Sequence, residues 1–311
     1  TATMATFHDH FAATYGAERW EKSLYPALAK PTRHAVLANR YSDGKITGQK
    51  VEFPVENCEI TCLLDDEFPQ PQITNRPLTH WLLDAASVLA AALLDVSAGD
   101  KVLDLCAAPG GKSIALSQCL WHAENAASRL VVNESDSKRF ARLKRNLKAY
   151  LPPRMMQSGL VQFSNLDASN ASSLPSATFD KALVDVPCSS ERHLIHNDLA
   201  AWRPASSKKL AATQVKLLMT ALRACKIGAK VLYATCSIEP TENDGVIEKM
   251  MTQVEKERKK GAKWKVEVEL LQDKALEIWA ERTKFGWIVL PDHPAGGRWG
   301  PLYFARLSKM V

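Results

Sequence analysis

Nowhere does this chain carry an apolar run approaching the roughly 18 residues of a membrane-crossing helix, so no segment reads as a membrane span. Its seven cysteines are odd in number and include no Cys-x-x-Cys pair. That usage argues against a disulfide framework or a zinc ribbon and for a reducing compartment. Cys58 and Cys62 lack a second ligand pair, and His193 and His196 share one turn's spacing without a cysteine or carboxylate set to complete a site. No metal is therefore expected, and the two histidines read as loop residues. Internal repeats and low-complexity segments are also absent. The chain starts at Thr1 without a methionine or signal pattern, so any targeting peptide is expected to have been removed. Charge of one sign is not abundant either. The net charge of +6 and pI near 8.9 permit a polyanionic partner without establishing one.

With 311 residues, 46% of them apolar, the chain can bury a substantial core, as one large domain with an appendage or as two domains. The stretch Lys101-Val-Leu-Asp-Leu-Cys-Ala-Ala-Pro-Gly-Gly-Lys-Ser113 organises it. Val102 to Leu105 reads as a buried strand, Ala107 to Gly111 breaks it, and Ile114 to Leu120 resumes at helical spacing. Strand, glycine turn and helix open a nucleotide-type α/β unit, in which glycine lets backbone approach a ligand and the helix start offers free N–H groups. Gly111-Lys112-Ser113 fits the end of a P-loop, but the first glycine of that motif would fall on Cys106, so the P-loop reading fails. A glycine turn alone is also compatible with a plain tight connection.

The spacing downstream favours a ligand site. Leu130 to Glu134 is a second strand ending in a carboxylate, roughly 20 residues past the turn, where a ribose diol is normally bound. Asp180 to Cys188 and Ala229 to Ser237 are two further apolar strands that end in polar, reactive residues. In open α/β sheets ligands sit beyond the carboxyl ends of the strands, so these ends are expected to converge.

Around this unit, Phe7, Phe11 and Tyr15, then Trp20, Leu24 and Leu28, recur every fourth residue and predict two helices before Pro31. Residues 31–77 read as irregular, with apolar–polar alternation over Val51 to Cys62 suited to short strands. The expected division is an N-terminal appendage over 1–77 and an α/β domain over 78–311. The appendage reads equally as an RNA- or partner-contacting segment and as a structural cap. Leu82 to Val96 predicts a helix leading into the first strand, and Lys138 to Lys148 a basic helix whose charged face is either solvated or in contact with phosphate. Leu160 to Phe163 predicts a third strand, with Asp167 just past it. A long loop is expected from Ser189 to Ser207, then helices over Leu210 to Cys225 and Glu242 to Lys260. Trp264 to Leu270, Trp287 to Leu290 and Leu302 to Leu307 are expected to complete the sheet.

Asp104-Leu-Cys-Ala-Ala-Pro-Gly-Gly-Lys112, Asp185-Val-Pro-Cys188 and Thr235-Cys236-Ser237 resemble the three motifs of the Sun-domain (Fmu-type) RNA cytosine-C5 methyltransferases. They occur in that family's order and at fitting intervals, over a region from about Leu78 to the C-terminus. Val184 to His193 and Gly300-Pro-Leu-Tyr303 look most like its mitochondrial members. The resemblance implies a Rossmann-like S-adenosylmethionine-dependent methyltransferase fold.

It also implies a chemistry. C5 of cytosine is a poor nucleophile, and a thiolate adding at C6 makes it an enamine-like carbon able to take a methyl group, so covalent catalysis divides one difficult step into easier ones. By the resemblance Cys236 is the nucleophile, Cys188 assists resolution of the adduct, and Asp185 bonds the N3/N4 edge of the base. Read without it, Cys236 is compatible with inert packing and Asp185 with a loop cap. S-adenosylmethionine would be wrapped by Cys106, Ala107, Ala108, Pro109, Gly110, Gly111 and Lys112, with Glu134 on the ribose hydroxyls. Asp167 would lie by the adenine edge, and Asp185 and Arg139 would be further contacts. Four departures from the family pattern are visible: Glu134 where many relatives have aspartate, Val186 and Ser190 where the usual motif has alanine and glycine, and Ala234 where the usual motif has serine. None removes a reactive group.

The implied substrate is mitochondrial small-subunit ribosomal RNA in the matrix, with mitochondrial transfer RNA as the alternative. Without an evident RNA-binding module, a mitochondrial terminator-factor-like partner is expected to form a heterodimer with the chain. A methyltransferase of protein or small molecules, and an RNA-binding assembly factor without essential catalysis, are the competing readings. Retention of both Cys188 and Cys236 counts against each.

Overall fold

The computed structural model describes residues 6–56, 58–64, 68, 70–71, 77–120, 128–197, 199–271 and 274–311. Helix α1 (Phe7–Tyr15) starts on a reciprocal cap in which the Thr6 hydroxyl accepts from the Asp9 amide and the Asp9 carboxylate accepts from the Thr6 amide, each at 3.1 Å. It ends at Gly16, where φ reaches 89°. Helices α2 (Ala17–Arg19) and α3 (Tyr25–Leu28) follow, joined by a π-helical turn over Trp20–Leu24. Strands β1 (Ala35–Ala38), β2 (Gln49–Lys50), β3 (Cys62–Leu64) and β4 (His80–Leu83) form a four-stranded antiparallel sheet in the order β2-β3-β1-β4.

This small sheet departs from expectation in two ways. The strands expected within Val51–Cys62 do not form, and pairing occurs only at its margins, in β2 and β3. Pro54 supplies no backbone donor, and neighbouring Phe53 is turned onto Trp279, ring centroids 5.4 Å apart, instead of alternating across a sheet. Leu82, expected in a helix, belongs to β4; helix α4 (Ala85–Leu93) begins only after Asp84, whose carboxylate accepts from the Ala86 amide at 2.8 Å. The sheet therefore takes strands from both sides of residue 77.

The main unit alternates as the sequence indicates, through β5 (Lys101–Asp104), α5 (Gly111–Gln118), β6 (Arg129–Asn133), α6 (Ser137–Tyr150), α7 (Pro153–Gln157), β7 (Val161–Ser164) and β8 (Phe179–Asp185). The expected loop over 189–207 is largely helical. Helix α8 (Glu191–Asn197), a 3-10 turn at Leu199–Ala201 and the start of α9 (Pro204–Ala224) occupy it, and His193 and His196 lie on α8. A helix of seven residues is too short to show a period. The chain continues with β9 (Cys225–Thr235), α10 (Asp244–Lys259), β10 (Lys265–Glu269), β11 (Glu281–Arg282), β12 (Trp287–Val289) and β13 (Leu302–Met310). Together they build a nine-stranded sheet in the order β11-β12-β13-β9-β8-β5-β6-β7, with β10 also on β13. Strands β7, β6, β5, β8 and β9 run parallel, and β13 is antiparallel to β9. This is the expected Rossmann-like α/β fold.

Successive residues of the central strands enter opposite cores, as the two-residue period of a strand requires. Val102, Leu183, Leu232 and Phe304 pack with α4, α5 and α6 on one face. Leu103, Val184, Tyr233 and Tyr303 pack on the other with α9, α10 and the N-terminal helices. The second core includes Phe7, Phe11, Trp20, Leu24 and Leu28, so the start of the chain is built into it. Polar ties reinforce the docking: Arg19 bonds both Asp292 oxygens at 2.9 and 3.0 Å and also reaches Glu281, and Tyr15 donates to the Ile238 carbonyl at 2.6 Å.

Trp20 is 1% exposed in this core, and Trp20→Ala should lower stability by about 3–5 kcal/mol. Urea unfolding should show one transition at a lower midpoint; an unchanged midpoint would mean that the N-terminal helices detach without consequence for the sheet.

Candidate active site

The carboxyl ends of β5, β6, β8 and β9 are neighbours in the sheet, so the turns that follow them meet at one edge. There a cavity of about 1070 Å³ is lined by residues including Cys106, Ala108, Lys112, Arg139, Asp185, Cys188 and Cys236. A smaller cavity of about 120 Å³ adjoins it, lined in part by Asp104, Ala107, Pro109 and Gly111. Seven of the expected site residues thus share the first cavity, and Ala107, Pro109 and Gly111 of the glycine turn border the second. Gly110 caps α5 with φ at 118°, a region that suits glycine. A Cβ on Gly111 would lie 2.8 Å from Trp81 Nε1, so the turn is packed to the limit against β4.

Glu134 lies just past β6 and is 3% exposed. Its Oε1 accepts from the Asp136 amide at 3.0 Å. Oε2 is buried with no hydrogen-bond donor; the Arg139 guanidinium stands 3.4 Å away and is bonded to the Ala108 carbonyl at 3.0 Å. An orphaned carboxylate oxygen beside a glycine turn fits a ligand that brings hydroxyl donors. Asp104 carries a second orphan, Oδ1. Burial pushes its carboxyl up to about 7, although Ser113 Oγ donates to its other oxygen at 2.6 Å. Asp167 is exposed past β7, holds the Ser169 amide at 3.0 Å and lines neither cavity.

On the far side of the cavity the sulfurs of Cys188 and Cys236 are 2.9 Å apart. Ser190 Oγ is 3.1 Å from Cys236 Sγ and 3.4 Å from Cys188 Sγ. Cys236 is exposed to the cavity and Cys188 half-buried. Accepting from Cys188 and from Ser190 pulls the Cys236 thiol below its ordinary value despite burial of its surroundings. Donating to Cys236, together with burial, pushes Cys188 well above its own. Of the two, Cys236 is therefore the readier to ionise and Cys188 the one that holds its proton more firmly. Lys112 Nζ donates to Asp185 Oδ2 at 2.7 Å; burial opposes the lysine charge, but the carboxylate outweighs it and holds the ammonium above its usual range. Among the described residues no cluster of His, Cys, Asp and Glu could hold a metal, while His193 and His196 line the outer cavity.

Sequence reasoning did not find what fixes this geometry. Ser189 and Ser237, each next to a cysteine, enter a buried cluster with Glu191 and Glu242. Glu191 accepts from the Ile238 amide at 2.9 Å, and Glu242 from the Ser189 amide at 3.1 Å and Gln214 at 2.8 Å. The Ser189 and Ser237 hydroxyls both face the two carboxyls, each with one proton to give. Burial pushes the Glu191 carboxyl up to about 7. The sequence held one faint sign: two glutamates close behind the two cysteine motifs.

Between an ordinary carboxyl value near 4.3 and about 7, folded Glu191 keeps a proton that the unfolded chain has released. Stability should then fall as pH rises through that window and level off above it, by at most about 1.4 kcal/mol for each pH unit. Urea unfolding across the window should show this fall in the wild type and a flatter profile in Glu191→Gln. Parallel profiles would mean that Glu191 does not hold a proton across this window.

Among known proteins, the mouse mitochondrial tRNA (cytosine(34)-C(5))-methyltransferase is 34% identical over 240 residues, covering 74% of this chain and 64% of that protein. The bovine 5-cytosine rRNA methyltransferase NSUN4 is 33% identical over 244 residues, covering 75% of this chain and 60% of its own. The chain thus spans less than two thirds of these relatives. In fold it is similar to a solved methyltransferase homologue from Pyrococcus horikoshii, with a TM-score of 0.68 at 23% identity, covering 97% of this chain and 95% of the other. Residues 91–286, most of the chain and all three motif regions, match the family described as 16S rRNA methyltransferase RsmB/F, and the chain belongs to that family.

Proposed function

We propose that this protein is an S-adenosylmethionine-dependent RNA cytosine-C5 methyltransferase that works through a covalent Cys236–C6 adduct. The observation that carries the reading is the 2.9 Å approach of Cys188 and Cys236 beside the Asp185–Lys112 pair, in the cavity that also opens onto the glycine turn. A methyltransferase of proteins or small molecules has no use for two apposed cysteines. Mitochondrial small-subunit ribosomal RNA is the first-choice substrate, supported by relatives named as rRNA methyltransferases. A mitochondrial transfer RNA is the second, supported by an equally similar relative named for that substrate. The location proposed is mitochondrial, in the matrix; the relative named as mitochondrial supports the first part. Residues 1–77 are read as an appendage built onto the catalytic domain. A helical, terminator-factor-like partner is proposed to share in recognising the RNA.

Cys106 to Lys112, Glu134 and Arg139 would hold the cofactor, the orphaned Glu134 oxygen taking its ribose hydroxyls. Bound there, S-adenosylmethionine supplies an electrophilic methyl group. The remaining work falls to the chain's own residues. A cytosine, taken out of its stack, meets Asp185 at its N3/N4 edge. Lys112, bonded to Asp185, is the adjacent proton source for N3. The Cys236 thiolate adds to C6, and the electron pair of the C5–C6 double bond becomes available at C5 for methylation. Loss of the C5 proton to solvent water and return of the N3 proton to Lys112 then restore the C5–C6 double bond as the Cys236–C6 bond breaks, returning its electron pair to sulfur. Cys188, kept as a thiol beside it, assists this departure. Tyr15 and His10 brace the loop just after Cys236 through Ile238 and Glu239, at 2.6 Å each, which limits drift of the attacking sulfur.

Cys236→Ala should abolish methylation and leave no covalent RNA species. Cys188→Ala should accumulate a protein–RNA adduct that survives denaturing gels, because attack proceeds while release is slowed. Adduct in Cys236→Ala and none in Cys188→Ala would reverse the two roles, and adduct in neither variant nor the wild type would remove the covalent mechanism. For the donor site, Glu134→Ala should weaken S-adenosylmethionine binding by roughly tenfold to a hundredfold, on the order of 1–3 kcal/mol for a lost charged hydrogen-bond acceptor. Isothermal titration giving wild-type affinity in that variant would reject the assignment.

A further inference from the structure

Ser190 is the residue of this site that departs most from the motif it resembles. Its backbone is left-handed, with φ at 52°, a conformation that carries a penalty for any residue with a Cβ and none for the glycine usual there. A serine in that position is explained if its hydroxyl has work that glycine cannot do. Serine at the start of a helix normally turns its hydroxyl onto the first amides. Here the Ser190 carbonyl accepts from the Leu194 amide at 3.1 Å, while the hydroxyl faces Cys236 Sγ at 3.1 Å and Cys188 Sγ at 3.4 Å. Its chain neighbours Ser189 and Glu191 are both locked in the buried acid cluster, so it has little freedom to leave that position.

We propose that the Ser190 hydroxyl is a further catalytic group, a donor that stabilises the Cys236 thiolate before attack and the Cys188 sulfur afterwards. The inference rests on the reading of Cys236 as nucleophile. A thiolate accepts charge-assisted hydrogen bonds strongly, and each donor raises the fraction ionised at neutral pH. Once Cys236 is bonded to C6 its sulfur is a thioether and a weak acceptor. The Ser190 O–H, with both sulfurs in reach, then turns to Cys188. Its proton stays on the serine oxygen throughout, so the reaction's proton balance is unchanged. Asp185, and Glu191 once it ionises, oppose the Cys236 thiolate and Lys112 favours it; substituting Ser190 leaves all three in place.

The test is the pH dependence of iodoacetamide alkylation at Cys236 in the full chain, read peptide by peptide by mass spectrometry. In Ser190→Gly, which suits the backbone, and in Ser190→Ala, the alkylation midpoint should rise by about one pH unit, tenfold less thiolate at neutral pH. Ser190→Thr should keep the wild-type midpoint. With RNA and S-adenosylmethionine present, methylation by Ser190→Gly should fall about tenfold at neutral pH and recover as pH rises. An unmoved midpoint in both hydroxyl-free variants, or a loss of methylation equal at every pH, overturns the proposal. The titration needs neither RNA nor cofactor, so it judges Ser190 separately. Failure of the wild type to methylate any RNA would instead count against the proposed function.

Discussion

Glu191 and Glu242 place two buried carboxyl groups against the single hydroxyl of Ser189, and through it they join the loop carrying Cys188 to the loop carrying Cys236. Burying an acid is costly unless its oxygens are bonded, and here they are. The Ile238 and Ser189 amides, Gln214, Ser189 and Ser237 supply the donors. The same bonds set where the flanking cysteines stand. A shift of one loop against the other would leave a buried acid short of a partner, so the distance between the sulfurs is held by the cost of breaking the cluster. This is a use of buried polar groups for position more than for net stability.

The rest of the molecule can be read as support for that junction. Strands β8 and β9 are adjacent and parallel in the sheet, which delivers both cysteine loops to the same edge. Helix α9 contributes Gln214, which bonds both the Pro187 carbonyl and Glu242. Tyr233 on β9 donates to the Glu242 carbonyl at 2.6 Å. The N-terminal helices, far away in sequence, press on the loop after Cys236 and are themselves fastened to Glu281 and Asp292. Opposite, the glycine turn is squeezed between β4 and α6: Trp81 limits Gly111, and Leu143 limits Gly110 at 3.3 Å. The glycine turn and the cysteine loops are thus each held by their own neighbours, and Lys112, reaching Asp185, links them.

Electrostatic roles follow from this packing. The two cysteines share one hydrogen bond, and Cys236, the more exposed and the nearer to the Ser190 hydroxyl, is shifted down while Cys188 is shifted up. Arg192 shows the opposite device, a buried guanidinium bonded to the Lys30 carbonyl at 2.9 Å and to Gly300, with no carboxylate bonded to it among the described residues. It ties the N-terminal segment to the cavity rim and α8, and burial lowers its pKa.

What the sequence alone determined is the part written in local pattern. The alternation of buried strands and amphipathic helices, the glycine turn, the carboxylate after β6 and the two cysteine motifs after β8 and β9 were all readable, because each depends on residues within one element or its turn. Element ends moved by a few residues, and the type held. Tertiary structure decided the remainder. The small sheet of β1 to β4 has strands too short to show alternation, and α8 is too short to show a helical period. The bonds that make the site span 73 residues for Lys112–Asp185, 48 for the two sulfurs and 53 for Ser189–Glu242. No period or spacing encodes such pairings; they arise when the sheet order brings strand ends together. Which sulfur ionises more readily, and how far the Glu191 carboxyl is pushed up, follow from that meeting and from burial.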